Sequence, residues 1–172
     1  MYVIQKKICL MGDFAVGKTS LVRQFVEGRF DDRYQSTIGV KISRKTLTRS
    51  YGELNMLVWD LAGDNSLKAF INTKSYLHGT AGAMIVCDLT RPESLVTFEL
   101  YAREMQKLNQ KIPLTFIANK ADLVDERTIS TALLQRVGDS LGGGEFFLTS
   151  ARTGEQVETA FRHLADQIEA QA

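Results

Sequence analysis

The chain has 172 residues, 44% of them hydrophobic and 24% charged, with a formal net charge of +1; this suits one globular domain with its own core, expected to span residues 1–172. The near-neutral balance excludes a global attraction to nucleic acid or an anionic membrane, no apolar run reaches the length of a membrane span, and the N-terminus lacks the ordered regions of a secretory signal. Cys9 and Cys87 both lie in apolar runs and give no disulfide framework, so a soluble, cytoplasmic monomer is expected.

The first strand is expected over about residues 4 to 11, ending in the apolar run Ile8-Cys9-Leu10-Met11. It runs into Gly12-Asp13-Phe14-Ala15-Val16-Gly17-Lys18-Thr19, which fits GxxxxGK(S/T), the phosphate-binding P-loop. Glycines let successive backbone N–H groups face phosphates, Lys18 brings a positive charge, and the Thr19 hydroxyl can ligate Mg²⁺. Leu21, Val22 and Phe25 recur at helical spacing, so the loop opens a helix near residue 18 whose N-terminal dipole also favours anions.

Residues of about 40 to 50 and 54 to 60 are joined by Ser50-Tyr51-Gly52-Glu53, too short for a crossover helix, and predict an antiparallel hairpin. Lys41, Arg44, Lys45 and Arg49 read as a solvated edge strand whose charges discourage further pairing. The second hairpin strand ends in Asp60-Leu61-Ala62-Gly63, where a carboxylate would support Mg²⁺ through water and a glycine N–H would approach a terminal phosphate. Trp59 reads as packing and both histidines, His78 and His163, as structural or solvated.

Further strands are expected near residues 83 to 88, 114 to 118 and 145 to 149, and further helices from about 66, 92, 130 and 155. Thr90-Arg91-Pro92-Glu93 reads as a capping box opening the longest helix, and Gly142-Gly143-Gly144 as a flexible turn. The alternation implies an α/β fold: a six-stranded mixed sheet with one antiparallel edge strand, flanked by about five helices. Asn119-Lys120-Ala121-Asp122 closes the strand at 114 to 118, where the Asp122 carboxylate can accept paired hydrogen bonds from the ring N–H and exocyclic amine of guanine; adenine offers no such pair.

Together these motifs make the chain resemble the Ras superfamily of small GTPases, its Rab branch most of all, over nearly its whole length. Phe30 and Thr37 stand eleven and eighteen residues after Thr19, matching the family's guanine-stacking aromatic and its switch threonine. Ile38-Gly39-Val40, Trp59-Asp60 and Ser75-Tyr76-Leu77-His78-Gly79 are similar to Rab signatures, with Leu77, His78 and Thr80 departing from them. The resemblance implies a P-loop small-GTPase fold and a switch that binds GTP or GDP with Mg²⁺ and hydrolyses GTP. It implies nucleotide contacts from Gly12, Phe14, Ala15, Val16, Gly17, Lys18, Thr19, Ser20, Phe30, Thr37 and Gly63, and from Asn119, Lys120, Asp122, Ser150, Ala151 and Arg152. Thr19, Thr37 and Asp60 would hold the metal, and Lys18, Thr37, Gly63 and Asp64 would serve catalysis. Effectors would read residues of about 30 to 40 and 61 to 78, with exchange and activating proteins as further partners.

Three departures bear on function. Asp64 stands where the family has the glutamine that orients the attacking water, and an anion there would repel the phosphates. Phe14 and Ala15 replace the serine and glycine of the Rab pattern, and the resemblance implies that bulk at the Phe14 position would obstruct the catalytic glutamine and an arginine supplied by an activating protein, the latter worth about 10³ to 10⁵ in rate. No C-terminal cysteine for a lipid anchor is visible. Slow hydrolysis is therefore expected; the alternative is a hydrolysis-deficient GTP-binding interaction module.

Overall fold

The computed structural model describes residues 2–63 and 71–172. Six strands, β1 (Tyr2–Gly12), β2 (Val40–Arg49), β3 (Gly52–Leu61), β4 (Thr80–Asp88), β5 (Leu114–Asn119) and β6 (Phe146–Leu148), form one sheet in the order β2-β3-β1-β4-β5-β6. Among the described residues only β2 and β3 pair antiparallel, so the mixed sheet with one antiparallel edge strand is as the sequence implies. Four α-helices are complete among the described residues: α1 (Lys18–Glu27), α2 (Pro92–Leu108), α3 (Thr131–Ser140) and α4 (Val157–Ala170). Residues 71–73 are helical as well; the expected helix start near 66 lies outside the described residues.

The sheet separates two apolar layers. On one face α1 and α4 close over Ile8, Leu10, Met84 and Val86, with Phe25 and Phe161 stacked at 4.0 Å between ring centres. On the other, α2 and α3 cover Cys9, Met11, Ile85 and Cys87, and Phe98 meets Phe116 and Phe146 edge-on or tilted. Because β1 and β4 send alternate side chains to opposite layers, both read as continuous apolar runs rather than alternating ones. The two cysteines are free and buried within these runs.

Two local expectations are corrected. The hairpin turn is Ser50-Tyr51 alone: Arg49 pairs with Gly52, and β3 begins two residues earlier than its apolar pattern suggests because Gly52 and Glu53 find ladder partners in Tyr2 and Val3. The capping box before α2 does not form. The N-cap is Arg91 without a side-chain hydrogen bond, and the Thr90 hydroxyl donates instead to Asp88 Oδ1 at 2.7 Å, so a buried carboxylate outcompetes the helix terminus for it. At the sheet's outer edge, Lys41 and Arg44 are exposed on β2 as expected, whereas Arg49 is drawn onto α4 by Asp166 at 2.9 Å and Glu169 at 3.1 Å.

Candidate nucleotide-binding site

In an open α/β sheet ligands bind beyond the carboxyl ends of the strands. The loops following β1, β3 and β5 converge there, with the segment after α1, around a cleft of about 290 Å³. Phe14, Ala15, Gly17, Lys18, Thr19 and Ser20 line it from the first loop, and Phe30, Thr37 and Gly63 from the switch side. Asn119, Lys120, Asp122, Ala151 and Arg152 close the far end. Of the other expected residues, Gly12, Val16, Asp60 and Ser150 stand behind this lining, and Asp64 lies outside the described residues.

The P-loop wraps around its own lysine. Lys18 is buried, and its Nζ donates to the carbonyls of Gly12 at 3.0 Å and Asp13 at 2.9 Å. Burial pushes its pKa down to about 8, against the attraction of the Asp60 and Asp13 carboxylates. Nothing but glycine fits opposite: a Cβ on Gly63 would stand 2.6 Å from both Asp13 O and Lys18 Nζ. Ala15, in contrast, adopts φ 58° in the left-handed region, a conformation an alanine enters at a cost of about 1–2 kcal/mol.

Beside the lysine, three oxygen-bearing side chains meet. The Thr19 hydroxyl bonds Asp60 Oδ2 and lies 2.7 Å from the Thr37 hydroxyl, which in turn is 3.4 Å from the same carboxylate oxygen. Asp60 Oδ1 is buried and has no hydrogen-bond partner among the described residues. Burial holds the Asp60 carboxyl above its ordinary range in spite of the Thr19 hydrogen bond and the Lys18 charge. Hard oxygens only, one of them on a carboxylate and without a hydrogen-bond partner among the described residues, are a donor set that fits Mg²⁺.

At the other end Asn119 is a brace. Its Nδ2 donates to the Val16 carbonyl at 3.0 Å, while its Oδ1 accepts from the Thr149 hydroxyl at 3.0 Å and the Ala151 N–H at 3.3 Å. Gly17 leaves the room this requires, since a Cβ there would come within 2.3 Å of Asn119 Nδ2. Asp122 accepts from the Ser150 hydroxyl at 2.8 Å through one oxygen and faces the cleft. With one oxygen bonded to Ser150 and the other free of a protein donor among the described residues, the carboxylate retains acceptor capacity toward a ligand.

Sequence reasoning missed a polar hub beneath the loop. Asp88, fully buried at the end of β4, receives Lys120 Nζ at 2.7 Å, Arg91 Nε at 3.3 Å and both the N–H and hydroxyl of Thr90. Burial raises the Asp88 pKa, but the bonds from Lys120 and Thr90 outweigh it and hold the carboxyl below its ordinary range. Arg91 continues to the P-loop, where its Nη2 donates to the Phe14 carbonyl and its Nη1 lies 3.9 Å from Asp13 Oδ2. An aspartate closing an otherwise apolar strand was the available signal for this hub. Tyr34 was also missed: it lines the cleft, and its ring stands edge-on to Phe14 at 5.6 Å.

The Ras family model matches residues 7–170. The chain is 33% identical over 163 residues to Ras-related protein Rab-2B of Dictyostelium discoideum, an alignment covering 94% of this chain and 79% of that one. It is 35% identical over 167 residues to Ras-related protein RABA4b of Arabidopsis thaliana, covering 94% and 71%, and 30% identical over 163 residues to Ras-related protein Rab-3C of Bos taurus, covering 94% and 70%. The chain thus belongs to the Ras family, resembles its Rab branch, and is a small GTPase switch.

Proposed function

We propose that residues 1–172 act as a single G domain that binds GTP and GDP with Mg²⁺ and hydrolyses GTP slowly. In this reading Lys18 neutralises the β and γ phosphates, and the loop N–H groups from Gly12 to Ser20 cradle them. Thr19 and Thr37 ligate Mg²⁺ with Asp60 in support; when bound, the ion neutralises charge on the phosphate oxygens. Asp122 accepts from guanine, Phe30 stacks on the base, and the backbone of Ser150, Ala151 and Arg152 borders its oxygen. Asn119 serves the base indirectly, by joining the loops that contact it. Residues of about 30 to 40 and 61 to 78 are the surfaces for effectors and for exchange and activating proteins, and the setting is the cytoplasm.

The observation that carries slow turnover is the position of Phe14. Its ring stands in the lining of the cleft, half-exposed and against Tyr34, where an incoming arginine and an attacking water would need space. The same contact favours the second reading, an interaction module whose conformation is held without hydrolysis. Identification of the copurifying nucleotide, followed by single-turnover GTP hydrolysis in the original chain, in Phe14→Ser and in Asp64→Gln, separates the two. Bound GDP with measurable turnover that rises in Phe14→Ser supports the slow enzyme. Retained GTP with no turnover supports the module, and turnover at the rate of an ordinary Rab protein rejects both.

A further inference from the structure

Phe14 and Tyr34 stand in loops on either side of α1, yet their rings pack edge-on with centres 5.6 Å apart and planes at 69°. Both are large and open to water, 50% and 62% exposed, so burial alone does not account for their meeting. Phe14 has little freedom to move away. Its N–H donates to the Asp13 carboxylate at 2.7 Å and its carbonyl accepts from Arg91, which is itself anchored on buried Asp88.

The segment carrying Tyr34 is fastened on both sides. Before it, Asp31 lies 3.7 Å from Arg23 of α1 and accepts the N–H of Arg33 at 2.9 Å. After it, the Thr37 hydroxyl reaches Thr19 and Asp60. Tyr34 is the middle of this span, and its contact with Phe14 crosses the phosphate end of the cleft from one rim to the other.

We infer that Phe14 and Tyr34 form an aromatic clasp that holds residues 30–37 across the cleft in both nucleotide states and slows nucleotide release. The inference rests on the nucleotide-site reading above. It differs from an ordinary switch in its cause of closure, because a ring–ring contact is indifferent to the presence of a γ-phosphate. Phe14 and Tyr34 are accordingly positioning residues, acting on the ligand through the loop they hold.

The test is dissociation of fluorescent GDP and GTP analogues from the full chain in Mg²⁺, chased by excess unlabelled nucleotide. Phe14→Ser and Tyr34→Ala are each expected to speed release of both nucleotides by about two- to tenfold, the range that an aromatic pair's contact supports. The double variant is expected to release no faster than the quicker single variant, because either truncation already opens the clasp. Tyr34→Phe keeps the ring and should release at the original rate. In the GDP-loaded protein, amide hydrogen exchange of residues 30–37 should rise in Phe14→Ser, a readout that a general loss of stability would not confine to that span.

Unchanged release in both single variants overturns the clasp, as does a double variant whose effect is the product of the two. Release from Tyr34→Phe as fast as from Tyr34→Ala assigns the effect to the hydroxyl and overturns it too. A chain that binds neither nucleotide overturns the nucleotide reading and the clasp together, whereas normal binding with release indifferent to these substitutions overturns the clasp alone. Both side chains stand at the surface, so their truncation leaves the core layers intact.

Discussion

Asn119 and Val16 are 103 residues apart in sequence, and the amide of one donates to the carbonyl of the other at 3.0 Å. The bond makes the base side and the phosphate side of the cleft one mechanical unit, because the same side chain also accepts from Thr149 and Ala151 in the final loop. Asn119→Ala would strand three buried polar groups on two segments at once. It is expected to lower stability by about 1–3 kcal/mol in chemical denaturation and to speed release of guanine nucleotide. Release unchanged at lowered stability would confine Asn119 to the fold.

Asp122 tests the choice of base. A carboxylate accepts from both guanine N–H groups, whereas an amide at the same place offers one donor and one acceptor. Asp122→Asn is therefore expected to bind guanine nucleotides at least tenfold more weakly, a loss of about 1.4 kcal/mol or more. The amide donor suits xanthine, which carries a carbonyl in place of the amine, so competition between GTP and XTP should shift toward XTP. An unaltered preference would remove Asp122 from base recognition.

Strands were legible where their residues face two apolar layers, as in Ile8 to Met11 and Ala83 to Cys87, because burial on both faces leaves a continuous apolar run. The outer reaches of β1 and β3 were less so. There Tyr2 and Val3 pair with Gly52 and Glu53 through backbone groups whatever their side chains, and pairing leaves no mark in hydrophobicity. The P-loop, Asp60 and Asp122 stood out as candidates for a different reason, since the chemistry proposed for them requires particular residue types at fixed spacings. Arg91 and Tyr34 did not, because each acts on a segment brought near only by the fold: Arg91 on Phe14, 77 residues away, and Tyr34 on the same ring from the opposite rim. Thr90 misled for a related reason, as its pattern with Glu93 promised a cap while Asp88 took its hydroxyl.

Gly63 faces Lys18 with no room for a side chain. A Cβ there would stand 2.6 Å from the lysine Nζ and from Asp13 O, and relief requires moving either the buried ammonium or the loop backbone. Gly63→Ala should weaken nucleotide binding by roughly 1–3 kcal/mol, the usual cost of overpacking, with little change in the two apolar layers. Titration calorimetry with GDP and a thermal melt of the nucleotide-free chain distinguish this from general destabilisation. An unaffected affinity would show that the rim gives way without disturbing Lys18.

Thr19, Thr37 and Asp60 share one anionic oxygen, and Asp60 has a second oxygen buried without a partner among the described residues. If Mg²⁺ completes this group, chelation by EDTA should accelerate GDP release in the original chain by at least tenfold. In Asp60→Ala release should already be fast, and chelation should add little. A variant that still responds fully to EDTA would place the ion elsewhere.

Asp88 links the fold's pH dependence to the site. Its buried carboxylate holds Lys120 and Arg91, and Arg91 in turn holds the carbonyl of Phe14. A carboxyl whose folded pKa lies below its unfolded value contributes fully at pH above the ordinary Asp range near 4 and loses that contribution as pH falls through the folded value. Asp88→Asn keeps the shape and removes the charge, so at pH 7 it should be less stable by about 1–3 kcal/mol. The difference should narrow as pH drops below about 4, where the original carboxylate takes up its proton. Urea denaturation of both proteins from pH 3 to pH 7 gives the result directly, and a difference constant across that range would deny Asp88 its charged role. At neutral pH the variant should also release nucleotide faster, because loosening Arg91 frees the backbone of Phe14 and with it the ring that meets Tyr34.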